Sequence, residues 1–135
     1  MFRSKLVLAA SLLVASVPLA AKVATVKPLQ TWTGRMPANV QPLFQQSLAT
    51  PDDLQRVWTT CQVKGVPPKV DFGKQLVLLA VRRNNGVSFG GLKLEDGNLK
   101  TDIVVTPGTA DHLTCRLVLV DRAGVTSVNG TPIGK

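Results

Sequence analysis

Two cysteines, a single histidine and eight carboxylates are the side chains of this 135-residue chain that could do chemistry. Cys61 and Cys115 can oxidise to a disulfide. His112, with Asp111 beside it, could act as general base for Ser47, Ser88 or Ser127. The spacing argues against the second chemistry. None of the three serines sits in a Gly-x-Ser-x-Gly turn, and neighbours along a strand point to opposite faces, so Asp111 is not expected to orient His112. Glycoside chemistry needs two acids facing across a cleft. Asp52, Asp53, Glu95, Asp96, Asp102 and Asp121 have readier explanations as helix-start or turn residues, and Asp71 is expected to accept hydrogen bonds ahead of a buried strand. One histidine, two cysteines and no acidic loop of calcium-binding spacing make no ligand set, so neither metal nor cofactor is expected. Gly90-Gly91 is not followed by the Lys-Ser/Thr and helix start of a phosphate-binding loop. These residues read as those of a protein that is not an enzyme.

The compartment follows from the first residues. Arg3 and Lys5 precede an apolar stretch over residues 6–17, then Pro18 and Leu19-Ala20-Ala21, the order of parts of a secretory signal peptide. The apolar stretch ends before Lys22 and falls short of the roughly 20 residues of a spanning helix. Residues 1–21 are therefore expected to be cleaved after Ala21, leaving a periplasmic or secreted protein of about 114 residues with no membrane insertion. In an oxidising compartment two cysteines form a structural bridge more often than they stay free. A Cys61–Cys115 disulfide would close a loop of 55 residues, which on the chain-entropy argument stabilises by roughly 4 kcal/mol.

The elements that must position these groups are mostly strands. Residues 22–49 read as irregular or strand-containing, with strand candidates at 23–26, 30–34 and 44–48 interrupted by Pro28, Pro37 and Pro42. The clearest helix begins at Pro51: Thr50 can cap it, Pro51 suits the first helical position, Asp52 and Asp53 complement the dipole, and Leu54, Val57, Trp58 and Cys61 fall on one stripe. Residues 76–81 are apolar without alternation, as in a strand covered on both faces. Further strands are expected at 87–94, with a bulge or bend at Gly90-Gly91, at 99–105, at 112–120 and at 125–128, with turns at residues 95–98 and at Asn129-Gly130. Leu113, Cys115, Leu117 and Leu119 share one strand face, so a bridge to Cys61 would pin the helix onto the sheet. The expected fold is α+β: a mostly antiparallel sheet of about five to seven strands with one helix packed on a face, residues 50–135 forming the β-rich domain and 22–135 a single unit.

Loss of Arg3 and Lys5 with the leader leaves 14 basic against 8 acidic side chains, a charge of +6 that favours anionic partners. The cations are scattered, Arg82-Arg83 being the one adjacent pair of that part. Nucleic acid binding would want aromatics interleaved with cations; Trp58 and Phe72 suit a core, only Trp32 with Arg35 could stack, and export removes the ligand. A protein partner is the better expectation. The candidate binding loop is residues 82–89, with Arg82, Arg83, Asn84, Asn85 and Phe89 next to the best-anchored strand.

The segments Val70-Asp71-Phe72-Gly73-Lys74-Gln75-Leu76-Val77-Leu78 and Phe89-Gly90-Gly91-Leu92-Lys93-Leu94, with the hairpin that follows to Val105, resemble the C-terminal domain of the PrcB family of exported, protease-complex-associated bacterial proteins. The helix ending in Val57-Trp58 is similar to a pattern in uncharacterised exported bacterial proteins. The likeness spans residues 50–105; Leu92 stands where the family places an aromatic after the two glycines. The resemblance implies a small non-catalytic domain that binds or scaffolds another envelope or secreted protein, with a protease as one partner. The alternatives are a secreted protease inhibitor and a binder of acidic glycan or lipid surfaces.

Overall fold

The computed structural model describes residues 23–37, 46–83, 86–107 and 111–133. The leader read at residues 1–21 lies outside them. In chain order the elements are β1 (Val23–Thr25), β2 (Gln30–Pro37), β3 (Ser47–Leu48), α1 (Pro51–Thr60), β4 (Gln75–Arg82), β5 (Gly86–Glu95), β6 (Asn98–Thr106), β7 (His112–Asp121), β8 (Ser127–Val128) and β9 (Thr131–Pro132).

The apolar run of β4 dictates the layering. Leu76 to Ala80 are all buried, and so are Leu113, Thr114, Cys115 and Leu117 to Val120 of β7. Successive side chains of a strand point to opposite faces, so β4 and β7 need cover on both. They pair antiparallel at the centre of a four-stranded sheet ordered β2-β7-β4-β3. One face, carrying Val77, Leu79, Leu113, Cys115, Leu117 and Leu119, is covered by α1 through Leu54, Val57, Trp58 and Cys61. The other, carrying Leu76, Leu78, Val118 and Val120, packs on Leu92, Leu99 and Val128 of a second, five-stranded sheet ordered β1-β5-β6-β8-β9, and on Val125 in the connection before β8. The result is three layers: helix, sheet, sheet. The α+β architecture with one helix on a mostly antiparallel sheet is as expected; the strands number nine among the described residues and divide between two stacked sheets. The N-terminal strands are part of the same body, because β1 pairs with β5 in one sheet and β2 with β7 in the other.

Local chemistry explains the element ends. The Thr50 hydroxyl accepts a hydrogen bond from the Asp53 amide at 3.2 Å, capping α1. Asp96 and Gly97 both take positive φ (52° and 83°) between Glu95 and Asn98, the two-residue turn whose twist matches a hairpin. Asn129 and Gly130 do the same between β8 and β9 (47° and 84°). The β5–β6 register shifts between Phe89 and Gly91, a bulge at the glycine pair. Among the described residues no helix is long and apolar enough to cross a membrane.

Candidate functional site

The strand β2 is eight residues long and hydrogen bonds to β7 alone among the described strands. Alternation divides its side chains. Trp32, Gly34 and Met36 lie opposite Leu117, Cys115 and Leu113 and so face α1, while Thr31, Thr33 and Arg35 face away and are exposed. The five-stranded sheet does not cover this side of β2. Among the described residues no strand pairs with this long edge, which carries a basic residue on its outward face.

A groove of about 520 Å³ runs beside this edge, bounded by Trp32, Thr33, Gly34 and Arg35 on one side and Gln62, Val63 and Lys64 on the other. The helix terminus builds the second wall. With Cys61 as C-cap, the Gln62 amide donates to the Thr59 carbonyl and the Val63 amide to the Trp58 carbonyl, at 3.1 Å each. This is the Schellman arrangement, which turns the chain sharply through a left-handed residue. Glycine usually occupies that residue; here it is Gln62, at φ 54°. The turn points Lys64 outward and lets the Trp58 indole nitrogen donate to the Gly65 carbonyl at 3.1 Å. Trp32 then packs edge-on to Trp58, ring centroids 5.5 Å apart and planes at 70°, a favourable contact for the ring quadrupoles. Half-buried Trp32 gives the groove an aromatic floor, and exposed Arg35 and Lys64 give it positive rims.

Gly34 makes this closeness possible. A Cβ at Gly34 would stand 2.3 Å from the Cys61 carbonyl oxygen and 3.0 Å from Val63 Cγ2. The end of α1 therefore rests directly on the backbone of β2, which no other residue type would permit.

The same approach brings the two cysteines together. Gly34 is paired in register with Cys115, and Cys61 closes the helix above it. Both are free thiols here and 0% exposed. Each thiol shifts the other's acidity: the neighbouring Cys115 side chain lowers Cys61 from the ordinary thiol range, while the neighbouring Cys61 side chain, together with burial, raises Cys115 far above it. The disulfide expected of this pair is not formed in this structure; the pair lies at the helix–sheet contact.

The candidate loop fares differently. Arg82 and Arg83 are exposed at the end of β4, and the Arg82 guanidinium donates to its neighbour's carbonyl on Val81 at 2.7 Å. Asn84 and Asn85 lie outside the described residues. Phe89 is not a loop residue: it sits inside β5, two residues after buried Val87 and so on the same face, half-buried against the inter-sheet core. Phe89 is therefore not brought to a common surface with the two arginines. Asp111 and His112, expected to point apart, in fact meet. Asp111 precedes β7 rather than lying in it, so the pleat does not separate the two, and its carboxylate reaches His112 Nδ1 at 3.3 Å. Among the described residues His112 Nε2 is buried without a hydrogen-bond partner, so none of Ser47, Ser88 and Ser127 is bonded to it. Asp71 takes the expected structural part, accepting the Gly73 amide at 3.1 Å.

A second depression, about 560 Å³, is lined by Leu29, Gly73, Lys74, Gln75, Asp121, Arg122, Ala123 and Val125. Two of its charged groups hold their own loops: Asp121 accepts the Ala123 amide and Arg122 donates to the Phe72 carbonyl. The β2 groove keeps its cations at the rim, which makes it the better binding surface. Gly34, Gln62, Val63 and Lys64 are not among the residues that the sequence singles out as a site. The available signal was a glycine inside a strand pattern, which marks a close backbone approach. No protein-family model, curated protein or solved structure matches the chain.

Proposed function

We propose that this chain is an exported, non-catalytic domain that binds another envelope or secreted protein by taking an extended segment of it onto the open edge of β2. The observation that carries the reading is the edge. Proteins ordinarily keep terminal strands short, bulged or covered, because unpaired amides and carbonyls recruit another strand. The other terminal strands here are two or three residues long (β1, β3 and β9), whereas β2 has eight. Strand addition gains affinity from backbone hydrogen bonds and specificity from pockets that take alternate side chains. The groove beside β2 offers one such pocket, with Trp32 beneath and Arg35 and Lys64 at its rim, a chemistry suited to an acidic segment. The leader read at residues 1–21 supports a partner in the periplasm or outside the cell, and the resemblance over residues 50–105 makes a secreted protease the first partner to test.

The test is a photo-cross-linking residue placed at Thr33 or, in a separate chain, at Arg82, expressed in cells with the leader intact. Adducts to one protein are expected at Thr33 and should weaken on Arg35→Glu/Lys64→Glu, which reverses the rim charge. Adducts confined to Arg82 would return the site to the β4–β5 connection and defeat the edge reading. Salt dependence separates a protein segment held largely by backbone bonds from binding to an anionic surface, whose affinity falls steeply with added salt.

A further inference from the structure

We infer that Cys61 and Cys115 are a disulfide-forming pair, a covalent clamp that fixes the C-terminus of α1 onto the centre of the β2-β7-β4-β3 sheet. Observations on three separate elements converge on the pair. Cys61 is the C-cap of α1 and Cys115 lies at the middle of β7, each completely buried in the same cluster. The β2 residue paired with Cys115 is Gly34, and its missing side chain is what lets the Cys61 backbone settle there. Both side chains belong to the one buried cluster beneath α1, at the point where the helix end rests on Gly34. Among the described residues no group of three or more metal-binding side chains exists, so a third ligand does not compete for the sulfurs. Two thiols that meet at a contact between elements 54 positions apart in sequence are placed to cross-link rather than merely to fill space.

The oxidant is a second disulfide, small-molecule or protein-borne, written R–S–S–R. The Cys61 thiolate attacks one of its sulfurs, forming a Cys61–S–S–R mixed disulfide and releasing R–S⁻. The Cys115 thiolate then attacks the Cys61 sulfur and expels the second R–S⁻. Two protons leave the cysteines and two thiols R–SH are produced, so the protein loses two electrons and the oxidant gains them. Because both sulfurs are inaccessible, the reaction requires the end of α1 to lift, or takes place as the chain folds. Once closed, the bond fixes the residue that immediately precedes Gln62, Val63 and Lys64, so one wall of the groove becomes tied to its floor. The inference does not depend on what the groove binds.

Thiol counting tests it. Reduced protein is equilibrated in a buffer of oxidised and reduced glutathione, both as the folded chain and as a chain unfolded and refolded in the same buffer, so that burial of the sulfurs does not prevent reaction. It is then quenched, unfolded and alkylated. The expected product is a monomer that takes up no alkyl group, is two hydrogens lighter than the dithiol chain, and yields a peptide joining Cys61 to Cys115. Two alkylated cysteines, glutathione retained on either one, or chains joined only to each other would overturn it. Gly34→Ala keeps both cysteines while forcing the helix end away, and is expected to raise the ratio of dithiol to disulfide several-fold at fixed glutathione; an unchanged ratio would show that the close approach does not set the pairing.

Discussion

Replacing Gly34 by alanine is the smallest perturbation that reaches every feature of the candidate site. The added Cβ would lie 2.3 Å from the Cys61 carbonyl oxygen, whereas carbon and oxygen ordinarily meet at about 3.3 Å or more. Either the end of α1 retreats by about 1 Å or β2 bows away from β7 by as much, and the first choice also meets Val63, whose Cγ2 would stand 3.0 Å away. The obstacle is backbone, which cannot rotate aside as a side-chain tip does. Overpacking of this sort costs about 1–3 kcal/mol. Alanine restricts the unfolded chain and returns about 0.4–1 kcal/mol. The net loss is then about 1.3 kcal/mol, a sizeable part of a typical stability of about 5–15 kcal/mol, and on the usual scaling it lowers the melting temperature by about 5 °C for a domain of this size.

Thermal and urea unfolding of wild type and variant would measure this, with tryptophan fluorescence as a local reporter because Trp32 and Trp58 pack against each other at the displaced contact. Gly91→Ala supplies the control. It is also a strand glycine, but its Cβ would meet nothing within 4 Å, so the substitution should be neutral within about 0.5 kcal/mol. If Gly34→Ala destabilises no more than Gly91→Ala, the close approach of helix to strand is not holding this part of the molecule together, and the account of groove and thiol pair built on it falls.

Two further substitutions examine the same architecture. Gln62→Gly should stabilise the protein by about 0.5–1 kcal/mol in urea unfolding, because Gln62 sits at φ 54° in a position where a side chain is penalised; a loss of stability would mean that the Gln62 side chain contributes more than its backbone strain costs. In a double-mutant cycle, Val77→Ala and Leu119→Ala, which face each other under α1, should couple by more than about 0.5 kcal/mol, while Val77→Ala and Val118→Ala, on opposite faces of the central sheet, should add within that margin. Equal coupling in both cycles would indicate one undivided core rather than two.

What could be read from residues alone was local chemistry. A capping threonine, a proline in the first turn and a stripe ending at Cys61 define α1, because a helix end is decided within a few residues. Asp96-Gly97 and Asn129-Gly130 mark hairpins because only certain residues accept positive φ. The second sheet was harder. The unbroken run of β4 announces cover on both faces without saying what supplies it. In β7 the two-faced pattern is disguised by Thr114 and Arg116. Thr114 is buried at 3% exposure, and Arg116 lays its stem between the sheets and donates from Nε to the Val87 carbonyl at 3.0 Å. A polar residue that spans two layers reads, in a one-dimensional pattern, as a residue facing water. The groove was illegible for a different reason: its walls come from residues 32–35 and 62–64, and their meeting depends on a crossing of helix over strand that no local signal encodes.

The edge strand and the thiol pair are linked by one piece of geometry. A helix laid across a sheet usually stands off by the length of its side chains, which leaves little shape near the strand edge. Here α1 crosses toward β2 at a glycine and comes down onto the backbone, so the chain leaving the helix must turn at once to avoid the strand. The left-handed turn at Gln62 is the consequence, and it carries Val63 and Lys64 back alongside Trp32 and Arg35. The depression beside the edge is therefore produced by the contact that places Cys61 above Cys115. Loosening that contact should flatten the groove, and securing it through the sulfurs should preserve the groove's shape while leaving the outward face of β2 unchanged. A binding surface made this way draws its rigidity from the core beneath it, and its affinity for an extended segment should track the integrity of the helix–sheet contact more closely than the number of charges at its rim.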